Sequence, residues 1–477
     1  AAEFAEGWEL VVGLEVHVEL ATVTKLFCGC ANRFSVEPNS DVCEVCLGLP
    51  GSLPVMNAKA VEFAMRLGRA LQCDVNPAVM ARKNYFYPDM AKDYQITQYD
   101  RPTCTDGRVL LDDGTQVRIE RAHIEEDAAK IVHSGGDGRI NAAAYALVDY
   151  NRAGVPLVEI VTRPDIRSVA AARDCVKELR AVLTAIGVSD AKMEEGSLRV
   201  DANVSVRPSG SAELRKRCEI KNINSLRSLS RAIDYEARRQ IDLYAGGEAP
   251  RQETRHWDEA AGRSTPGRSK EDADDYRYLR EPDLAPLTPA ADDLAAIDAS
   301  LPLLPAARRA RLAELSSAAG DVLSSLVERG QDDLAVAVIA AGADPDKALV
   351  RIQNDLAVSD WSKVTPDGLA ALLAMESAGD LSATQARQIL ADMVEQGGEP
   401  AALAAARGFE AMADEELEAL LDRIIADHRG EWERFVSGDA ADRKKMQGFF
   451  TGQVMRATKG QADGRAVAES LARRSGA

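Results

Sequence analysis

Four cysteines are the first residues in this sequence whose type and spacing could do chemistry. FCGCANRFSVEPNSDVCEVC sets Cys28 and Cys30 ahead of Cys43 and Cys46, two close pairs separated by a twelve-residue loop. Soft thiolates in this arrangement make a closed, four-coordinate zinc knuckle over residues 28–46, which shapes a loop and leaves no open position for catalysis. Gly29 relieves the tight bend inside the first pair. Free thiols are the alternative reading, and iron is another metal that such a site accepts. The opening AAEFAEGWELVVGLEVHVEL lacks the basic and apolar segments of a secretion signal, so a disulfide framework is not expected. Cys73, Cys104, Cys175 and Cys218 are isolated and read as buried small apolar residues.

A second group of candidates lies on strand-like segments, where alternate residues share a face. In WELVVGLEVHVEL, Leu10 through Leu20 form an apolar face, and Glu15, His17 and Glu19 lie opposite. A carboxylate and an imidazole two apart on one face can bind one ion, although a solvent-facing side of a half-buried sheet has the same pattern. In GVPLVEIVTRP, Glu159 stands among Val155, Leu157, Val158, Ile160 and Val161 and needs a cation, a metal or a proton. SLRVDANVSV alternates an apolar set with Arg199, Asp201 and Asn203, which suits a polar cleft or an exposed sheet face. RAHIEEDAAK concentrates His123, Glu125, Glu126 and Asp127 and reads by itself as a solvated turn or helix start. RKNYFYPDMAKDYQITQYD interleaves Arg82, Lys83 and Asn84 with Tyr85, Phe86, Tyr87, Tyr94 and Tyr99. Cations among rings suit a nucleotide or an unpaired nucleic-acid end, with aromatic core packing as the rival.

Elements must hold these residues in place. The 477 residues suffice for several domains, and 46% hydrophobic with 28% charged residues is an ordinary globular balance. No stretch is long and apolar enough to predict a membrane span, and a cytoplasmic protein is expected. Residues 1–290 mix strands and helices. One helix is predicted over 168–186, capped by Ser168 and stopped by Gly187. Pro282, Pro286 and Pro289 then break the chain, and 291–407 reads as helices rich in alanine and leucine. A small helical unit follows over 408–477. The fold class expected is α+β.

The formal charge of −18 argues against wholesale coating of a polyanion but permits a local basic face. Residues 440–477 hold eight basic side chains, among them Arg443, Lys444, Lys445, Arg456 and Lys459, against three acidic ones. A solvated helical tail and a phosphate-binding surface both fit that count.

VVGLEVHVEL, CGC with CEVCLGLPGSLPV, ARKNYFYPDM, YQITQYDRP, HIEEDAAK, DYNRAGVPLVEIVTRPDIRS, MEEGSLRVDANVSVRP, EIKNINSLRSLSRAIDYEARRQI and QETRHWDE follow one another from Val11 to Glu259. GFFTGQVMRATKGQAD comes near the end. In this order they closely resemble the B subunits (GatB) of the aspartyl/glutamyl-tRNA amidotransferases. The resemblance implies a cradle-shaped α+β domain, a helical domain and a tRNA-binding tail. It further implies assembly with an amidase (glutaminase) subunit and a small accessory subunit, and contact with a non-discriminating aminoacyl-tRNA synthetase. It places Glu15, His17, Glu126 and Glu159 around Mg²⁺ at the reaction centre. From their residue types, Lys83, Asn84, Tyr85, Arg199, Asp201 and Asn203 are expected contacts to ATP and substrate. Histidine is an uncommon magnesium ligand, so His17 is expected to act through water or as a base. One departure is Gly267 in RSTPGRSKE, where the family pattern has methionine.

The activity implied is amidation of Glu-tRNA(Gln), Asp-tRNA(Asn) or both. A carboxylate is inert to ammonia until ATP converts it to an acyl phosphate. The sequence contains neither a GxxxxGK[ST] loop nor a GxSxG elbow, so the triphosphate is held another way and the ammonia is expected from a partner glutaminase. Two rivals are a free-standing ligase for a small acid and a catalytically silent zinc-containing RNA-binding subunit.

Overall fold

The alternation in WELVVGLEVHVEL becomes a long strand, β1 (Trp8–Glu19), with Leu10, Val12, Leu14, Val16 and Val18 all buried. In a computed structural model, residues 4–34, 37–134, 144–269, 276–357, 360–409, 414–458 and 464–475 are described. The chain divides into two compact units, Ala1–Ala306 and Ala307–Ala477. The class is α+β.

After β1 the first unit runs α1 (Ala58–Ala70), β2 (Asp74–Val75), β3 (Ala81–Asn84), β4 (Tyr94–Thr97), β5 (Cys104–Leu110) and β6 (Gln116–Glu126). It continues with β7 (Lys130–Ser134), β8 (Tyr145–Asp149), β9 (Pro156–Thr162), α2 (Val169–Ala185), β10 (Leu198–Pro208) and β11 (Cys218–Ile223). Last come α3 (Leu226–Ala245), β12 (Glu253–Asp258), β13 (Arg263–Ser269), β14 (Leu279–Arg280) and α4 (Ala291–Ser300). Nine strands form one sheet in the order β13-β12-β11-β10-β1-β9-β6-β5-β2. A smaller sheet, β14-β3-β4, stands beside it through contacts between β4 and β6. β1 lies between β10 and β9, antiparallel to both, so its polar face is flanked on either side.

Helices α1, α2 and α3 cover the other face. Asn57, Ser168 and Ser225 cap them, each side chain accepting from backbone amides of the first turn. α3 buries Ser228, Leu229, Ala232, Ile233, Glu236, Ala237 and Gln240, a helical stripe containing three polar residues. Glu236 is fully buried and accepts from Arg239 at 2.6 Å, Gln240 at 2.8 Å and Ser264 at 3.3 Å, with Arg255 at 3.5 Å. Gln240 in turn donates to the Val204 carbonyl, which ties α3 to β10. Removing this carboxylate takes its anion from the half-buried Arg239, leaves the buried Arg255 with Glu253 alone, and strips Gln240 of one acceptor. Glu236→Ala is therefore expected to destabilise the first unit by about 3–5 kcal/mol, as read by denaturant unfolding.

α4 packs against α1, with Arg69 and Asp298 paired at 2.7 Å, and so belongs with the first unit rather than with the helices after it. RAHIEEDAAK is not a solvated turn. Residues through Glu126 continue β6, and His123, Glu125, Glu126 and Asp127 are all buried. Gly267 lies in β13 where a Cβ would come within 2.9 Å of the Thr254 carbonyl and of His256 Nε2. The backbone thus approaches β12 more closely than a methionine allows without displacement. Residues 270–275 of that segment fall outside the described residues.

Among the described residues the second unit contains helices and loops only, with separate apolar cores over Leu312–Ala404 and Leu417–Leu471. No described helix is long and apolar enough to cross a membrane.

Candidate functional site

Register brings the polar residues of five strands onto one face. Glu15 stands opposite Asp201, and His17 is flanked by Arg199 on β10 and Glu159 on β9. His123 of β6 pairs with Glu159 from the far side, and Glu219 of β11 pairs with Asn203. Two acid groups result, one strand step apart on β1.

The first group is His17, Glu125 and Glu159, which offer ligand atoms within 4.8 Å of one another. His17 Nε2 lies 3.6 Å from Glu125 and 3.7 Å from Glu159, and His123 Nε2 lies 3.3 Å from Glu159. Burial pushes both carboxyls up. For Glu125 the neighbouring Glu159 adds to that push, and its pKa is raised. For Glu159 the charges of His123 and His17 outweigh burial and hold it below the usual carboxylate range. Two carboxylates held this close favour a shared cation.

The second group is Glu15, Asp201 and Glu219. It already contains a cation: Lys221 Nζ lies 2.5 Å from Asp201 and 3.1 Å from Glu219. Asn203 donates to Glu15 at 2.9 Å and Thr254 to Glu219 at 2.8 Å. An ammonium thus touches two carboxylates of this group. In the first, among the described residues, no lysine or arginine lies within ion-pair distance and the histidines are the direct partners. The first is the better place for a metal ion.

Glu126 does not join either group. Strand alternation puts it on the face opposite Glu125, where it accepts from Lys92 at 2.5 Å and from the Ile96 amide at 2.7 Å. The neighbours that the motif left unassigned, His123 and Glu125, are the ones at the site. Parity along β6 was a usable signal, since a strand that turns His123 toward Glu159 turns Glu125 the same way. Glu219 and Lys221 went unassigned too, although CEIKNI alternates them with Cys218 and Ile220.

Arg199 donates to Asp127 at 2.9 Å beside Glu19, whose carboxyl is pushed up to about 7 by burial and by Asp127. Lys83 sits on β3 with its ammonium 4.6 Å from the Tyr276 ring centroid, and its charge also reaches Glu125. Asn84 is engaged with backbone, donating to the Tyr276 and Arg277 carbonyls at 2.8 Å. Tyr85 stacks obliquely on Tyr87. Tyr99 and Tyr278 stack at 4.1 Å, and Phe86 is exposed beneath the Arg277 guanidinium.

The four knuckle cysteines also converge. Cys46 Sγ lies 3.4 Å from Cys28, 3.7 Å from Cys30 and 3.8 Å from Cys43. A tetrahedron with bonds of about 2.3 Å has edges of about 3.8 Å, so the donors fit zinc. The Cys46 thiol is drawn down to about 4, first by its hydrogen bond with Cys28 and also by the Lys25 ammonium.

In the tail, Arg443, Lys444, Lys445 and Arg456 are exposed on the helix Ala440–Ala457, while Met446, Phe450 and Val454 fill its buried side. Lys459 lies outside the described residues. Arg473 and Arg474 are paired with Glu418.

Residues 10–295 match the family described as the GatB/GatE catalytic domain, and residues 347–474 match the GatB domain family. The chain belongs to the GatB family. It is 47% identical to the B subunit of an aspartyl/glutamyl-tRNA(Asn/Gln) amidotransferase from Mycobacterium sp. (strain KMS), covering 97% of this chain and 95% of that protein. Proteins of the same description from Frankia casuarinae (48%; 98% and 96% covered) and Anaeromyxobacter sp. strain K (45%; 98% of each) are similarly related.

Proposed function

We propose that this chain is the transamidating subunit of an aminoacyl-tRNA amidotransferase, acting on Glu-tRNA(Gln), Asp-tRNA(Asn) or both with ATP and ammonia. The observation that carries this reading is the convergence of His17, Glu125 and Glu159, inside the matched catalytic domain, on a sheet face lined by further polar groups.

A side-chain carboxylate oxygen of the charged tRNA attacks the γ-phosphorus of ATP, the bond to ADP breaks, and an acyl phosphate forms. Ammonia then adds to the acyl carbon, inorganic phosphate leaves, and the surplus proton passes to solvent or a nearby base. Glu125 and Glu159 would hold Mg²⁺, with His17 meeting it through a bound water or serving as a base, and the ion when bound would supply positive charge against the phosphate oxygens. Lys83, on the smaller sheet with its ammonium over the Tyr276 ring and its charge reaching Glu125, suits the triphosphate or adenosine of a substrate. Arg199, Asp201 and Asn203 keep Asp127, Lys221 and Glu15 in place through the contacts above. The ammonia would come from an amidase partner, with a small third polypeptide completing the enzyme and a non-discriminating synthetase delivering the charged tRNA. A tRNA substrate goes with a cytoplasmic setting. The basic face of the helix Ala440–Ala457 would meet tRNA phosphates.

Purified chain assembled with an amidase partner should convert misacylated tRNA to the amide only when ATP is present. Amide formation without ATP, or ATP-dependent amidation of free glutamate alone, would refute the reading. For the knuckle, one zinc per chain is expected by elemental analysis, with Cys28, Cys30, Cys43 and Cys46 protected from alkylation until a chelator is added. Absence of zinc with all four thiols freely reactive would remove the metal from the account.

A further inference from the structure

Lys25 has no solvent exposure, yet it is an ammonium-bearing side chain inside the knuckle. Its Nζ donates to the Asp41 carbonyl at 2.9 Å and to the Tyr150 carbonyl at 3.4 Å, and lies 3.5 Å from Cys46 Sγ. None of these partners is a carboxylate. A buried ammonium needs compensating negative charge, and of these three contacts only the Cys46 sulfur can supply it. Four thiolates around a divalent ion carry surplus negative charge, so metal-loaded knuckle and Lys25 are complementary.

Those contacts also join two distant pieces of chain. The loop between the cysteine pairs is docked on the segment that leads into β9. Asp41 N donates to Asn151 Oδ1 at 2.8 Å, Tyr150 N to Asn39 Oδ1 at 2.8 Å, and Asn151 Nδ2 to the Glu37 carbonyl at 2.7 Å. Leu26 N donates to the Gly154 carbonyl at 2.8 Å, and Gly154 N to the Asp127 carbonyl at 3.0 Å. Gly154 adopts φ +80°, and the Lys25 stem runs 3.7 Å from where its Cβ would be. Two residues further on, β9 starts and carries Glu159 to the site.

We propose that Lys25 is a positioning residue that couples the metal-loaded cysteine knuckle to the 149–155 turn, and through that turn to the strand carrying Glu159. The inference rests on the zinc reading above. The metal's part is then to hold the start of β9, inside the active sheet between β1 and β6, at a distance and without contact to substrate.

The test uses the full chain in its assembled enzyme. Zinc content of the wild type is measured first, since its absence defeats the zinc reading itself and is distinct from any result at Lys25. Lys25→Met then removes the charge at nearly constant volume. With Co²⁺ in place of zinc, loss of the N–H···S bond should move the sulfur-to-cobalt charge-transfer band to longer wavelength. Zinc release to a chelator should accelerate about 10–100-fold, the scale on which partners of metal ligands act. Amide exchange at Asp41, Tyr150 and Gly154 should quicken while β10 and β11 keep their protection. An unshifted band with unchanged release, from a wild type that does hold zinc, would overturn the proposal. Should Lys25→Met not fold, the same exchange pattern is expected of wild type stripped of zinc, and unchanged protection at those three amides would overturn it equally.

Discussion

Glu159→Gln is expected to abolish tRNA-dependent phosphate release, lowering it about a thousandfold or more, while leaving the fold and tRNA affinity near wild type. The exchange keeps the size of the side chain and removes its charge, so the packing of Val158 and Ile160 into the core is undisturbed. What is lost is the anion that His123 and His17 face and that, with Glu125, would hold the metal ion. Loss of one direct ligand to an ion that offsets transition-state charge costs several kcal/mol, which sets the scale of the effect. Glu125→Gln should fall into the same class. Glu126→Gln should differ from both, because Glu126 is turned away toward Lys92 and Ile96. Near-normal phosphate release from Glu159→Gln would make that residue structural.

The second large effect is expected in the tail. Alanine at Arg443, Lys444, Lys445 and Arg456 together should weaken tRNA binding and flatten its salt dependence. Each phosphate contact contributes roughly 0.7–0.9 to the slope of log affinity against log salt, so four contacts would reduce the slope by about 3. All four side chains are exposed, and the helix is held by Met446, Phe450 and Val454 on its other side, so the substitutions should leave the small core intact. Binding measured from low to moderate salt checks this directly. An unaltered slope would mean that the cluster is a solvated surface and that tRNA is held elsewhere.

The features legible in the sequence are those that local rules reach. Strand alternation placed Glu15 and His17 on one face of β1 and Arg199, Asp201 and Asn203 on one face of β10, because a period of two is a property of the strand alone. The Ser168 cap and the helix after it were equally local. Which strands become neighbours is not local. The insertion of β1 between β10 and β9 depends on how the whole sheet pairs, and only that arrangement sets His17 beside Glu159 and leaves Lys221 balancing the second acid group. RAHIEEDAAK reads as solvated because three consecutive acidic residues are a pattern that an exposed turn or helix start tolerates. Their partners Lys92, Arg152, Arg199 and His17 arrive from elsewhere in the chain. The close approach of β13 to β12 at Gly267 is likewise visible only in the packed sheet.

The direct test of carboxylate activation follows oxygen rather than rate. Misacylated tRNA carrying ¹⁸O in the side-chain carboxylate of its amino acid is amidated by the assembled enzyme with unlabelled ATP, and the released phosphate is examined by mass spectrometry. If the carboxylate attacks the γ-phosphorus and phosphate later leaves the acyl carbon, each amide formed delivers one labelled oxygen to inorganic phosphate. Phosphate free of ¹⁸O, alongside normal amide formation, would show that ATP is hydrolysed by water and that no acyl phosphate forms on this face.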